Sequence, residues 1–139
     1  MLVDGRGVPL SLVVSAANRH DVTQVEAVLK SIIAHRPAAA GSCRPRLYAD
    51  KGYDSDPVRR LMVLFGYRPH VKSRNYENRI RKSKPDTKLH RWVVESCHSW
   101  LNRFRKILIR YEKTDASYLA LLQLACAIIA LRKIGVIYG

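Results

Sequence analysis

The longest apolar run of the chain, residues 118–131, constrains the fold more than any other feature because it requires an interior. The run has 14 residues and includes one polar member, Gln123. A membrane-spanning helix needs about 20 apolar residues, so the run indicates a buried helix instead. A chain of 139 residues with 47% hydrophobic composition can bury such a helix in one core. We expect one domain, residues 1–139.

The charge of the chain limits its partners more than its fold. The formal net charge is +14 and the isoelectric point is about 10.2, which favours nucleic acid or another anionic surface as partner. Cys43, Cys97 and Cys126 are far apart and odd in number, which indicates free thiols in a reducing compartment. Asp4 and Arg6 interrupt any apolar signal segment. We expect a cytoplasmic protein that does not bind a membrane.

Short apolar runs separated by turn residues predict a mixed α/β fold with the order β-β-α-β-α-β-α-α. Asp21 and Asp56 are predicted to be the N-caps of two helices, and Pro57 fits the first helical position of the second. The predicted elements are a hairpin at 1–14, a helix after Asp21, a strand at 46–50, a helix at 56–65, a strand at 67–71, and helices at 89–111 and 115–134.

Residues 72–88 are predicted to form a mobile basic loop. They contain seven Lys or Arg against two acids, with almost no apolar residues. With so little apolar surface to bury, the segment cannot offset the conformational entropy that it would lose on becoming ordered. The helical part of the chain, residues 89–134, follows this loop.

Glu95 is a lone acid in an apolar, aromatic and basic stretch, and helical geometry gives it two alternative roles. With 3.6 residues per turn, one stripe is predicted to be buried; it contains Val93, Cys97, Trp100, Phe104, Ile107, Leu108 and Tyr111. Another stripe carries Arg91, Glu95, Asn102 and Lys106. Because Arg91 lies four residues before Glu95, a surface ion pair is one role for this acid.

Asp50 favours a second role for Glu95, as part of a catalytic site. It lies at the end of a predicted strand, where chemistry usually occurs in open α/β sheets; the alternative is a turn or capping residue before Lys51. Two acids in a domain of charge +14 fit metal-dependent phosphodiester chemistry, in which Mg²⁺ takes carboxylate ligands. Basic residues beside them hold the phosphates that the acids repel.

Three segments carry a resemblance to a known family. They are VDGRGVPLSLVVSAANRHD at 3–21, RLYADKGY at 46–53 and HRWVVESCHSWLNRFRKILIRYEK at 90–113. Together and in this order they resemble the catalytic domain of bacterial insertion-sequence transposases of the DDE type, in the branch with an RNase H-like fold. The resemblance implies a partial RNase H-like fold, mixed sheet with flanking helices, whose first strand is missing and which ends in two helices.

The resemblance also implies residue roles and cofactors. Asp50 matches the second acid of the family's triad and Glu95 the third, as ligands of two Mg²⁺ (or Mn²⁺) ions that cleave and transfer DNA strands. Arg91 matches an arginine of the family's helix, and Asn102 stands where related branches carry lysine. DNA, both transposon ends and target, is the expected partner. The DNA-binding residues expected from charge and position are Lys51, Arg74, Arg79, Arg91, Asn102, Arg103, Arg105, Lys106 and Arg110.

The first acid is where the chain departs from the family. It belongs on a strand upstream of the DGRG hairpin, and Asp4, within the turn, is the only substitute. We therefore expect an incomplete two-metal site and a chain that is inactive alone, as a remnant, a split reading frame or a fragment. The candidate protein partners are an upstream transposase segment and a second copy of the chain.

Three other functions are considered beside the transposase. The main alternative is a non-enzymatic basic DNA-binding protein, which keeps the fold without the chemistry. A small basic structural protein, such as a ribosomal component, accounts for the charge but not for Asp50 at a strand end. A zinc site from His90, Cys97 and His98 is weaker, because these residues point to different sides of one helix.

Overall fold

The computed structural model describes residues 1–16, 18–33, 44–71 and 89–135, the side chains of 89–91 excepted. The predicted basic loop at 72–88 and Cys43 lie outside these residues. The described strands are β1 Leu2–Val3, β2 Pro9–Ser11, β3 Arg46–Ala49 and β4 Arg68–Val71. The helices are α1 Val25–Lys30, α2 Asp56–Leu64, α3 Leu89–Leu101, α4 Arg105–Leu108 and α5 Asp115–Ile134, with 3₁₀ turns at Asp21–Gln24 and Lys51–Tyr53. The predicted mixed α/β class is confirmed.

The described strands form two separate sheets of two strands each. β1 and β2 are antiparallel and joined by a tight turn, in which Asp4 Oδ1 accepts hydrogen bonds from the backbone amides of Arg6 (2.9 Å) and Val8 (2.8 Å). Gly7 closes this turn with a φ of 83°, a conformation that side chains disfavour. The predicted hairpin is confirmed, with shorter strands, and Asp4 is its turn residue.

β3 and β4 are parallel, so they need a crossover connection, which α2 supplies. Their register pairs Arg46 with Arg68 and Ala49 with Val71. α2 ends at Leu64, one residue before the predicted end at 65, and Gly66 follows it with a φ of 81°. This crossover places the ends of both strands, and therefore Asp50, at the same edge of the sheet.

The buried side chains form two clusters. The first lies between α1, α2 and the parallel strands, and contains Val25, Leu29, Leu47, Val58, Met62, Tyr67 and Val71. The second lies between α3, α4 and α5, and contains Leu101, Ile107, Leu122, Ala125 and Ile129. The hairpin joins them. Its Leu2 packs on the first cluster and Met1 on the second, and the Ser11 hydroxyl donates to the carbonyl of Val28 at 2.8 Å.

The predicted helix over 89–111 is wrong beyond Leu101. The amides of Arg103 and Phe104 bond to carbonyls three residues back, which tightens the last turn and ends α3. The chain then turns and a four-residue helix, α4, inserts Ile107 into the second cluster. As a result Leu108 and Tyr111, predicted to be buried, are 60% and 69% exposed.

Two predicted caps are also wrong by one residue. His20, not Asp21, precedes the first 3₁₀ turn, and Asp21 is the first residue of that turn. Ser55, not Asp56, is the N-cap residue of α2. In both cases the acid stands inside the first turn, where its charge favours the positive end of the helix dipole.

α5 has the predicted boundaries but only one buried face. The Thr114 side chain accepts a hydrogen bond from the Ser117 amide at its start, and Gly135, with a φ of 78°, ends it. Leu122, Ala125 and Ile129 are buried as predicted, whereas Ile134 is 70% exposed. Burial stops short of Ile134 because the second cluster covers only one side of the helix.

By length and composition α5 is able to cross a membrane. Its most apolar window has a mean hydropathy of 1.6, and 17% of that window is buried. The core helix of a soluble protein meets the same criterion, so this finding by itself decides little. It does show that most of the apolar surface of α5 is not covered by the described residues, which revises the prediction of a buried helix.

The buried face of α5 is tested by placing a charge on it. Leu122→Asp leaves an unpaired carboxylate in the second cluster and is expected to lower the free energy of unfolding by about 3–5 kcal/mol. Gln123→Asp, one residue on and exposed, is the matched control and should cost less than about 1 kcal/mol. Denaturant unfolding measures both. Equal effects of the two substitutions would show that this face is not core.

Candidate active site

Asp50 follows β3 directly and its carboxylate is exposed. Its side chain caps the 3₁₀ turn Lys51–Tyr53, with Oδ1 accepting from the Lys51 amide at 2.8 Å. The capping role that the sequence offered as an alternative is therefore real. It does not exclude a second role, because a carboxylate has about four acceptor positions. The structure thus places Asp50 at a strand end, where its side chain caps the turn that follows.

Two acids, Asp50 and Asp21, affect the pKa of Tyr53. Burial raises the pKa of the Tyr53 phenol, and the negative charges of Asp21 and Asp50 raise it further. Both carboxylates therefore act on the same protonated hydroxyl. Asp21 was predicted to be only a cap. Its position near Tyr53 depends on how α1 packs, which no local pattern shows.

Arg59 holds the segment after Asp50 against the end of β4. Its guanidinium donates to Asp54 Oδ1 from Nη2 at 2.6 Å and from Nε at 3.0 Å, and Nη2 also donates to the Val71 carbonyl at 2.9 Å. Arg59, Asp54 and Val71 are all half-buried or buried, so these charge-assisted bonds are shielded from water. Sequence reasoning missed Arg59, because its partners are brought to it by the parallel pairing of β3 and β4.

Glu95 lies on the exposed side of α3, and two neighbours hold that helix in place. Cys97 is fully buried, so it faces the core where Glu95 faces solvent. Its sulfur lies 4.0 Å from the Met1 sulfur, and burial raises the pKa of its thiol to about 11. Gly7 lets the hairpin approach closely, since a Cβ there would meet the Trp100 ring at 3.3 Å. The thiol of Cys97 is a packing group rather than a nucleophile.

The predicted DNA-binding residues differ in their exposure and contacts. Asn102, Arg103, Arg105 and Lys106 are exposed, and Lys51 is half-buried. Arg110 differs, because it forms an ion pair with Asp115 and lies 5.1 Å from the ring centre of Tyr118. Arg74, Arg79 and the side chain of Arg91 lie outside the described residues, so the Arg91–Glu95 ion pair stays a prediction.

In the described part of the chain, no group of three or more His, Cys, Asp or Glu is arranged to hold a metal ion. Asp50 and Glu95 stand on separate elements, one at the edge of the parallel sheet and one on α3. The alternative zinc site gains nothing from the geometry, since Cys97 is buried and His98 exposed. The carboxylates of Asp50 and Glu95 are hard oxygen donors of the kind that Mg²⁺ prefers.

The comparison with protein families decides the relationship. The model of the family described as transposase DDE domain matches residues 1–130. The chain belongs to this family. The relationship predicted from the three quoted segments is thereby confirmed. No solved structure matches the chain.

Two relatives of this DDE transposase domain carry names of the same kind. A Burkholderia cepacia protein named as a transposase of insertion sequence element IS402 is 36% identical over 131 residues, covering 93% of this chain and 60% of that protein. A Brucella ovis protein named as a transposase of element IS6501 is 28% identical over 137 residues, covering 94% of this chain and 95% of that protein. The chain thus spans 60% of the length of the IS402 relative.

The Arg59 contacts predict a specific loss of stability at the edge that carries Asp50. Arg59→Met keeps the apolar stem but leaves Asp54 and the Val71 carbonyl without their donor, which should cost about 1.5–3 kcal/mol. Arg60→Met, at the exposed neighbouring position, is the control and should change stability by less than about 0.5 kcal/mol. Denaturant unfolding and amide exchange of residues 50–55 measure the difference. Unchanged amide exchange of residues 50–55 in Arg59→Met would contradict the restraint of this segment by Arg59.

Proposed function

We propose that residues 1–139 form one partial catalytic domain of a transposase, with an RNase H-like fold, that takes part in metal-dependent cleavage and transfer of DNA strands. One observation carries this proposal: within the family match, an exposed Asp50 ends a strand and an exposed Glu95 stands on α3. These positions correspond to the second and third acids that the resemblance implies. Members of the family use such acids on DNA, so the same substrate is proposed here.

Asp50 and Glu95 are the residues that would hold divalent cations. Their carboxylates match the oxygen ligands of Mg²⁺ and Mn²⁺. When bound, the ions supply an activated nucleophile and stabilise the leaving oxygen. The residues of the chain itself position these ligands. Arg59 restrains the segment after Asp50, and Cys97 and Gly7 hold α3.

DNA contacts are assigned to the exposed basic residues. Arg103, Arg105 and Lys106 lie on the turn after α3 and on α4, and Lys51 follows Asp50 directly. Asn102 offers hydrogen bonds to phosphate without a charge. Arg74, Arg79 and Arg91 complete the set predicted from the sequence. Arg110 contributes less in this proposal, because contact with phosphate requires it to release Asp115 or share it.

The site is proposed to be incomplete within these 139 residues. Asp4, the only substitute for the first acid, accepts hydrogen bonds from two backbone amides through Oδ1 and thereby stabilises the hairpin turn. Two carboxylates leave a two-metal site under-ligated, so metal binding is weak and the chain alone is inactive. The missing first acid is then supplied by an upstream transposase segment, in the same chain or as a separate one.

The proposed chemistry predicts that strand cleavage depends on both that segment and Glu95. The chain alone, with Mn²⁺ and transposon-end DNA, should give no detectable cleavage, whereas a fusion to the upstream part of an IS402-type transposase should cleave. Glu95→Gln in the fusion should abolish cleavage, because the amide is a much weaker metal ligand. A gel assay of labelled DNA measures all three.

Glu112→Gln is the control, since it removes an acid from the same stretch at a position without a proposed role. It should leave cleavage unchanged. Robust cleavage by the unfused chain would overturn the proposed incompleteness of the site and would assign Asp4 to the triad. Full activity of Glu95→Gln in the fusion would instead return Glu95 to the surface ion pair with Arg91.

The charge of the chain predicts DNA binding with a steep salt dependence. If about five phosphates are neutralised, the plot of log K against log salt concentration should slope by about −4 to −5. Arg105→Gln with Lys106→Gln should make the slope less negative by about 2. Fluorescence anisotropy of labelled DNA measures both. A slope near zero would contradict a phosphate-binding surface.

The same two assays separate the proposal from its main alternative. A non-enzymatic DNA-binding protein shares the salt dependence but gains nothing from the upstream segment. Salt-dependent binding without cleavage in the fusion therefore favours the alternative.

A further inference from the structure

Most of the surface of α5 that the second cluster leaves uncovered is apolar, with polar and charged residues near its two ends and Gln123 in the middle. A helix that is apolar on all sides is normally buried on all sides. Here Leu122, Ala125 and Ile129 are buried, whereas Leu124, Leu131 and Ile134 are 58%, 41% and 70% exposed. An apolar face of this length on an otherwise basic protein marks an interaction site.

The exposed residues follow a heptad pattern. Alternate steps of three and four residues connect the members of one stripe, all of them exposed. This α5 stripe consists of Ser117, Ala120, Leu124, Ala127, Leu131 and Ile134. At 3.6 residues per turn it stays on one side of the helix, opposite the face that packs in the second cluster. Such spacing is the pattern by which one helix packs lengthwise on another.

The sizes of the side chains indicate which helix fits. When two copies of α5 lie antiparallel and in register, Leu124 faces Ala127 of the other copy. Leu131 faces Ala120, and Ile134 faces Ser117. Every layer then joins one large side chain with one small one, so the layers are of similar volume and fill evenly. A parallel pair would place Leu on Leu and Ala on Ala, with uneven layers.

The helix dipole of α5 favours the same arrangement, because an antiparallel pair aligns the two dipoles favourably. The charged side chains at the ends of α5 already have contacts within one copy: Asp115 in the first turn pairs with Arg110, and Lys133 in the last turn lies 4.2 Å from the centre of the Trp100 ring. A parallel pair would place the basic ends together in a protein that already carries +14.

We propose that two copies of this chain associate through their α5 stripes, packed antiparallel about a twofold axis. The contact is isologous, because each copy contributes the same residues. The proposal rests on the α5 geometry alone and does not depend on the proposed function. A lipid bilayer is another environment that suits an apolar helix, but packing against lipid does not require large and small side chains to alternate. Flotation with vesicles tests it.

The first experiment measures mass in solution against concentration, by sedimentation equilibrium in high salt so that nucleic acid is removed. The chain should pass from its monomer mass of 15.9 kDa to twice that mass. Leu124→Gln with Leu131→Gln should raise the dimer dissociation constant by about 100-fold or more, since four buried leucines are lost per dimer. Both positions are exposed in one copy, so the circular dichroism spectrum should not change.

Leu64→Gln is the matched control. Leu64 is 80% exposed on α2, so the same kind of substitution, at one leucine instead of two, removes exposed apolar surface away from the stripe and should leave the dimer intact. A chain that stays monomeric at all concentrations overturns the proposal. A dimer that is unaffected by the double substitution, or weakened equally by Leu64→Gln, overturns it as well.

Disulfide crosslinking tests the orientation. Mild oxidation of a mixture of Ser117→Cys and Ile134→Cys should give a crosslinked dimer that neither variant gives alone, with the native cysteines common to all samples. Crosslinking of either variant alone overturns the antiparallel arrangement.

Flotation with neutral phosphatidylcholine vesicles tests the bilayer, because neutral lipid avoids simple attraction to the +14 charge. The chain should remain with the protein fraction. If the chain floats with the vesicles and Leu124→Gln with Leu131→Gln abolishes this flotation, the stripe binds lipid and the proposed pairing is overturned.

Discussion

Packing of one face of α5 against α3 and α4 is the contact on which the carboxyl-terminal half depends. Leu122, Ala125 and Ile129 meet Leu101 and Ile107, and the Tyr118 hydroxyl donates to the Ile107 carbonyl at 3.3 Å. Because Met1 packs on the same cluster, this contact also fixes the hairpin to α3. The direction in which Glu95 leaves α3 is therefore a consequence of burial at Cys97 and Leu101, on the other side of that helix.

Asp50 depends on a different cluster and on parallel strand pairing. A parallel pair has no tight turn, so α2 has to cross over, and its Arg59 then reaches both Asp54 and the end of β4. This arrangement fixes the edge of the sheet that carries Asp50. The two acids of the proposed site are thus positioned by separate cores, which the hairpin connects through Leu2 and Met1.

Local signals in the sequence predicted the elements that end in a distinctive residue. Gly66 ends α2 and Thr114 begins α5, where a positive φ and a side-chain cap act within a few residues. The break after Leu101 could not be predicted, because neither Gly nor Pro marks it and it follows from burial of Ile107. Asp50 at a strand end was predictable, whereas the Tyr53 and Arg59 contacts arise only once distant segments pack together.

The faces of α5 show how one helix can serve both the core and a partner without obstructing DNA. Its buried face packs on α4, whose Arg105 and Lys106 point to solvent. The α5 stripe lies on the opposite side of the helix from that contact. Pairing two copies through the stripe therefore leaves the basic side chains of α4 uncovered. In a protein of charge +14, an apolar contact joins two copies without bringing like charges together, and it persists at the salt concentrations that release DNA.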